Sequence, residues 1–378
     1  MSDEIRPFTI DVPEEVLDDL RRRLRDTRWP DAELVDDWSQ GIRLAYVREV
    51  CRYWADEYDW RAREAALNRF DQFVTEIDGV EIHFVHQRSS NPDALPLLIT
   101  HGWPGSIVEF HKVIEPLTDP GAHGGDPADA FHVIAPSLPG YGFSGKPTEA
   151  GWGIEKIADV WAELMSRLGY DRFVAQGGDW GSAVTHQVAA RHPGRCIAAH
   201  MTLAMAARPK SEPTEPDELR AIERALEYQQ VDSGYSKQQS TRPQTLGYGL
   251  ADSPSGQAAW ILEKFWKWTD CDGHPENVLT RDELLDNVML YWVTNSATSS
   301  ARLYWESFGG GRSADVTIPV GFSVYPREIV PPVRKWVEQT FPDIRHWAEH
   351  DRGGHFAAFE VPDTFVADLR TCFGQFRS

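Results

Sequence analysis

Along the first 75 residues the apolar positions recur with a helical period. Val12, Val16, Leu17, Leu20 and Leu24 fall on one face, and Glu14 and Glu15 occupy the first turn, where the helix dipole favours acids. The stretch from Leu44 to Tyr58 has the same period, so residues 1–75 read as helical and irregular. At Phe73 the pattern changes to alternation. FVTEIDGVEIHFVHQ, with Asp78-Gly79 at its centre, predicts a β-hairpin. Apolar runs and amphipathic stretches then take turns: LPLLIT (95–100), FHVIAP (131–136), a helix over 154–169 ending in glycine, RFVAQ (172–176), a helix from Gly181 to His192, and CIAAHMTLA (196–204). This order predicts a mostly parallel α/β sheet with helices on both faces. The pattern breaks at Arg208, in a polar, proline-rich connector. Helical signals fill residues 216–307, and GGGRSAD (309–315) closes the block. IPVGFSVYP (318–326) and IRHWAEH (344–350) resume the strands, and a last helix ends near Cys372. The expected organisation is an N-terminal segment 1–75 packing on core and cap, a core in two pieces, 76–207 and 316–378, and a helical insertion at 208–315.

Composition narrows the partners. Asp and Glu total 58 against 38 Lys and Arg, a net charge of −20, which argues against nucleic acid or an anionic membrane surface. Four scattered cysteines without a CxxC pair exclude a disulfide scaffold and the common zinc spacing, and suggest buried thiols in a reducing compartment. The N-terminus shows no basic-then-apolar leader, and no run of ~18 apolar residues occurs. A cytoplasmic protein is the expectation. Fifteen tryptophans make an aromatic-lined cavity plausible.

The strongest chemical motif is Gly177-Gly178-Asp179-Trp180-Gly181, between a strand and a helix. A nucleophile elbow needs small residues two before and two after its nucleophile, because backbone there approaches backbone. Here the nucleophile position holds Asp179. A carboxylate suits displacement at an sp³ carbon, giving an alkyl ester that water cleaves. The partners are expected in the order nucleophile, acid, histidine. Among the downstream histidines only His355 follows the last strand within a glycine turn, Gly353-Gly354-His355-Phe356. His346 and His350 lie in the strand and read as packing or surface residues. No acid follows the strand 196–204 through Ser211, so Glu328, after the strand 318–326, is the orienting carboxylate by elimination. His101-Gly102-Trp103-Pro104-Gly105 follows the strand 95–100, so backbone N–H groups of Trp103 and Trp180 are the expected oxyanion donors. His101 precedes the nucleophile and reads as a structural hydrogen-bonding group. Gly140 to Gly145 spells G-x-G-x-x-G, but Ser137-Leu138-Pro139 separates it from its strand and no helix opens on it, so it is no dinucleotide loop.

These residues resemble the epoxide hydrolases of the α/β-hydrolase fold, and within them the microsomal-type branch. RPFTIDVPEEVLDDLRRRLRDTRWPD is similar to that branch's N-terminal region. HGWPGS, SLPGYGFSG, GGDWGS, YPREIVPP and RGGHFAAFE match its core motifs in order, and GYSKQQSTRPQTLGYGLADSPSGQAAWILEKFWKW and MLYWVTNSATSSARLYWES match its cap. The resemblance covers nearly the whole chain. It implies an α/β-hydrolase core with a helical cap and an N-terminal helical meander, and it assigns the family's two cap tyrosines to Tyr235 and Tyr304. Read by themselves these are packing aromatics, with Tyr228, Tyr248 and Tyr291 as neighbouring candidates. The implied reaction is epoxide to vicinal diol through an ester on Asp179, without metal or organic cofactor. The animal members' membrane anchor is absent, so a soluble bacterial-type relative is expected. The expected partner is a small-molecule epoxide, bulky or aromatic to judge by Trp260, Phe265, Trp266, Trp268, Tyr291 and Trp292, with a homodimer left open. A haloalkane dehalogenase shares the aspartyl ester chemistry, with Trp180 offering its indole to a halide, but has no use for two cap tyrosines. A non-catalytic binding protein would have no use for Asp179, Glu328 and His355.

Overall fold

A computed structural model describes residues 4–204, 212–308 and 315–377. Nine strands form one sheet: β1 (Arg6–Phe8), β2 (Gln72–Ile77), β3 (Val80–Gln87), β4 (Leu95–Thr100), β5 (Phe131–Pro136), β6 (Phe173–Gly177), β7 (Cys196–Met201), β8 (Val320–Val324) and β9 (Ile344–Glu349). The order is β1-β2-β3-β5-β4-β6-β7-β8-β9. From β5 through β9 every neighbour is parallel, while β1, β2 and β3 join antiparallel. The fold is that of the α/β hydrolases, a mostly parallel sheet flanked by helices. The β2–β3 turn has Asp78 at φ 51° and Gly79 at φ 80°, the two left-handed residues that a tight hairpin of matching twist requires.

One element departs from the pattern reading. Residues 1–75 give no strand signal, yet Arg6–Phe8 pairs with β2, Pro7 opposite Phe73. Three residues are too few to show alternation, and a proline is tolerated there because β1 is the sheet edge. The expected boundaries at Arg208 and at 309–315 fall on residues 205–211 and 309–314, outside the described residues.

Between Met201 and Val320 the described elements are all helical: Pro216–Glu227, Gly234–Thr241, Pro243–Asp252, Pro254–Trp268, Arg281–Val293 and Ala297–Ser307, with short single turns between them. Two contacts fix these helices above the sheet. Helix Arg281–Val293 drops Asn287 into the loop after β4, where its amide donates to Pro104 O at 2.7 Å and its oxygen accepts from Ser106 Oγ at 2.7 Å. Tyr291 donates to Gly105 O at 2.7 Å. The N-terminal helices hold the other face of that helix: Tyr58 donates to Asp286 at 2.8 Å, and the Arg63 guanidinium grips the same carboxylate with both nitrogens. The N-terminal segment therefore braces the β4 loop through helix Arg281–Val293. All four cysteines are free and buried. Among the described residues no helix is long and apolar enough to cross a membrane.

Candidate active site

The β6 strand ends at Gly177, and helix Trp180–Arg191 begins three residues later. Asp179 sits between them at φ 50°, ψ −129°, a conformation uncommon for any residue but glycine. The turn closes this tightly because its flanks lack side chains. A Cβ on Gly177 would stand 2.0 Å from Gly181 O, and one on Gly181 1.9 Å from Thr100 O. The strained turn lifts the Asp179 carboxylate out of the chain, with 15% of the side chain exposed.

That carboxylate is held from two sides. Trp103 N–H donates to Oδ1 at 2.8 Å, and His355 Nε2 lies 3.1 Å from Oδ2. His355 Nδ1 donates to Glu328 Oε1 at 2.6 Å, and Glu328 is fully buried. The backbone N–H of Ile329 also donates to Glu328 Oε1, at 2.7 Å. Burial opposes a charged imidazole, but the Glu328 carboxylate, the hydrogen bonds to Asp179 and Glu328, and the Asp179 charge outweigh it. The His355 pKa is pushed well above the ordinary histidine value. Of the two expected oxyanion donors, Trp103 touches the carboxylate. Trp180 opens the following helix, and among the described residues its N–H makes no bond to Asp179.

Gly102 matters for the same reason as the elbow glycines. A Cβ there would lie 2.1 Å from Asp179 Oδ1. The Asp179 Cβ and Cγ would also lie 2.4 and 2.6 Å away, so rotating the carboxylate does not relieve the clash, and Gly102→Ala should displace the elbow itself. The expected result is a loss of about 10²-fold or more in kcat, as displacements near 1 Å cost, together with a lower Tm from the overpacked elbow. A Gly102→Ala enzyme at full rate would contradict the close approach.

Tyr235 and Tyr304 descend on this floor from two helices, Gly234–Thr241 and Ala297–Ser307. The Tyr235 ring stacks on Trp103 at 5.0 Å, and Tyr304 meets Trp103 edge-on at 5.9 Å and Trp180 at 4.9 Å. The two phenol rings are 5.8 Å apart. Burial first, then the Asp179 charge among others, pushes both phenols well above the ordinary tyrosine value, so both keep their protons at neutral pH. Tyr228 lies behind Tyr235, hydroxyl to hydroxyl at 3.1 Å. A widened π-type turn over Tyr228–Asp232 brings these two hydroxyls together. Tyr291 is a loop clamp, and Tyr248 is exposed.

The remaining motifs find structural work. Leu138 N–H donates to His101 Nε2 at 3.1 Å, and its Nδ1 lies 2.9 Å from Gly102 O; burial drops its pKa to about 4, so it is a neutral brace for the loop. His350 lies 2.6 Å from Asp368, away from the elbow. The Gly140–Gly145 segment docks the helix that carries Tyr304. Gly140 O accepts from Ser299 Oγ at 2.6 Å, Tyr141 donates to Ser300 O at 2.9 Å, and Gly140 takes φ 83°.

The sequence reading named Trp268 only as a cap aromatic and missed two carboxyls, Glu109 and Glu360. Trp268 O accepts the His355 N–H at 2.9 Å, and its ring meets the imidazole at 5.1 Å. Glu109 lies against Gly105, and burial, with the Asp179 charge adding to it, pushes its carboxyl up to about 8. The available signal was an acid between Val108 and Phe110, both buried. Glu360, raised by burial to about 7, accepts from Phe356 N at 3.0 Å and Asp270 N at 2.7 Å and so anchors the histidine turn to the cap.

Known proteins resemble this chain over nearly its whole length. The family described as epoxide hydrolase N terminus matches residues 5–110, and the alpha/beta hydrolase fold matches residues 96–235. Epoxide hydrolase 1 of Sus scrofa is 36% identical over 404 residues, covering 98% of this chain and 89% of that protein. The chain belongs to the epoxide hydrolase family. A Stigmatella aurantiaca protein, provisionally named an epoxide hydrolase, is 54% identical over 377 residues, with 99% of this chain and 86% of that one covered. The crystal structure of juvenile hormone epoxide hydrolase from Bombyx mori superposes with a TM-score of 0.91 at 33% identity, covering 99% of this chain and 95% of the other. The Aspergillus niger epoxide hydrolase does so with 0.89 at 35%, covering 98% and 96%. As an epoxide hydrolase the protein adds water to an epoxide, and the dehalogenase and silent-binder readings fall away.

Proposed function

We propose that this epoxide hydrolase works through a hydroxyalkyl ester on Asp179, with Tyr235 and Tyr304 as donors to the epoxide oxygen and His355, oriented by Glu328, as the base of the second step. One observation carries the reading: the two oxygens of Asp179 have different partners. Oδ1 rests on the Trp103 N–H and Oδ2 faces His355. Oδ2 attacks the epoxide carbon, the ring C–O bond breaks, and the oxygen receives a proton from a phenol. Oδ1 stays on the Trp103 N–H as the ester carbonyl. Trp180 N–H, one residue on, is the second donor for the oxyanion.

Esterification also changes the histidine. It removes the Asp179 charge and hydrogen bond that help hold the imidazole protonated, so burial, which the Glu328 charge still opposes, shifts His355 towards its neutral form. Neutral His355, its Nδ1–H on Glu328, then takes a proton from water at the ester carbonyl carbon. The tetrahedral oxyanion collapses, Oδ2 leaves with the diol and takes the proton back from the His355 imidazolium, and Asp179, which keeps the water oxygen, passes its remaining proton to His355. Alkylation therefore prepares the base for the hydrolysis that follows it.

The substrate class follows from the rings. Trp103, Trp180, Trp268, Tyr235 and Tyr304 form one linked set of rings at the elbow, which supports a bulky or aryl epoxide. A single turnover in ¹⁸O-water, with enzyme in excess over styrene oxide, tests the route. The diol should be nearly unlabelled and Asp179 labelled. Label in the first-turnover diol would show that water attacks the epoxide directly, and would remove Asp179 as nucleophile.

A further inference from the structure

Resting on the ester reading above, we propose that the two cap phenols are unequal, Tyr235 being the proton donor and Tyr304 a hydrogen-bonding partner that keeps its proton, and that Lys264 sets this difference. The structural basis is a buried ammonium over one phenol ring. Lys264, in helix Pro254–Trp268, is 5% exposed, and its Nζ lies 4.7 Å from the centroid of the Tyr235 ring. The same ammonium is 5.5 Å from the Trp268 ring. Its charge is compensated by Asp232 and Glu263, each at 2.7 Å. Asp232 also accepts from Trp268 Nε1 at 2.7 Å, so one carboxylate fixes both the cation and the indole that meets His355.

Among the described residues no cation lies over Tyr304, whose ring neighbours are Trp103, Trp180, Tyr235 and Phe308. A phenol that gives up its proton here becomes a phenolate among apolar rings and beside Asp179, which burial opposes strongly. A cation on the ring face is attracted to electron-rich aromatics, and more so once the ring gains negative charge. Among the described residues, of these two phenols only Tyr235 has a cation on its ring face. The charged and titratable groups facing Tyr235 are Tyr228 from its own stretch, Lys264 with Asp232 and Glu263 from behind, Tyr304 from the neighbouring helix, and Asp179 below.

The step balances without a co-reactant. Asp179 Oδ2 forms the bond to carbon, and the electron pair of the broken C–O bond stays on the epoxide oxygen. That oxygen takes the Tyr235 proton, and the phenolate rests under Lys264. Solvent returns the proton through the Tyr228 hydroxyl, which is half-buried and 3.1 Å away. Lys264 is a positioning residue, since it acts on substrate only through Tyr235.

The test is a double-mutant cycle on the alkylation rate constant for styrene oxide, with substrate binding measured separately. Lys264→Met should slow alkylation by about 10-fold with binding unchanged, and Tyr235→Phe should cost more than Tyr304→Phe. Added to Tyr235→Phe, Lys264→Met should change the rate by less than about twofold; added to Tyr304→Phe it should cost the full factor again. A merely structural lysine would cost the same in both backgrounds, and that result overturns the proposal. If the unpaired Asp232 prevents folding, Lys264→Met with Asp232→Asn keeps the acceptor for Trp268 and enters the same cycle. The comparison of the two Phe variants needs no change at Lys264, and a larger loss from Tyr304→Phe overturns the proposal by itself. An intact ester route with an additive Lys264 defeats this inference alone, whereas ¹⁸O in the first-turnover diol defeats the reading beneath it.

Discussion

With His355 replaced by glutamine, the enzyme is expected to stop half-way and accumulate a substrate-sized adduct on Asp179. Alkylation does not use the histidine as a base. Asp179 keeps its strained elbow and its Trp103 N–H, and both phenols remain above it. Hydrolysis of the ester loses the group that takes the proton from water, and with it a factor of about 10²–10⁴ or more in kcat. The intermediate should therefore outlive the assay. Intact-mass measurement after mixing with styrene oxide should show the added mass, and peptide mapping should place it on Gly177–Gly181. An adduct on another residue, or turnover at the parent rate, would sink the assignment of both residues. Glu328 should behave differently. It touches only the imidazole and the backbone, so its loss weakens the base without removing it.

How much of this was readable from residues depends on whether the constraint is local. The elbow was legible because a Cβ on either flanking residue would stand 2.0 or 1.9 Å from a backbone oxygen, so only glycine fits, and that demand is written at fixed offsets from Asp179. The hairpin was legible for the same reason, since Asp78-Gly79 supplies both left-handed residues. Glu328 emerged by elimination along strand ends, a rule of topology, and the fold brings it within 2.6 Å of His355. The cap tyrosines were legible only through a family resemblance. No local signal separates a phenol above a nucleophile from one in a core, because the helices that carry them are fixed by distant contacts such as Ser299 on Gly140.

Other features left no trace in the pattern at all. Strand β1 is three residues long, and its partner lies about one N-terminal segment away, at Gln72–Val74. Lys264 follows Glu263 in an amphipathic stretch, where a charged pair normally reads as a solvated face. What buries it is Asp232, thirty-two positions earlier, presented by a π-type turn that helical periodicity does not reveal. Glu109 is similar: burial and the nearby Asp179 charge, neither visible in its local sequence, make it a carboxyl raised to about 8.

Replacing both Tyr235 and Tyr304 by phenylalanine should produce the deepest loss of alkylation that leaves the protein folded. Losing Tyr304 alone should slow ring opening by about 10²-fold, within the range of general acid help, and losing Tyr235 alone should cost more. The second removal takes away the last donor to the developing alkoxide, so the double variant should fall by about 10⁴-fold or more, with the excess over the product of the singles measuring how far one phenol covers for the other. Folding should survive, because phenylalanine keeps the stack on Trp103 and the edge contacts to Trp180 and Trp268. The hydroxyl of Tyr235 leaves Tyr228 with Ser236 as a remaining partner at 3.2 Å. Thermal unfolding and the double variant's binding of styrene oxide serve as controls, and both should stay close to the parent. The readout is the ester burst on Asp179 rather than diol formation, since His355 and Glu328 are untouched and the second step should proceed once an ester exists. A double variant that alkylates at the parent rate would mean that the alkoxide is met by some other donor and that the cap phenols only line the cavity.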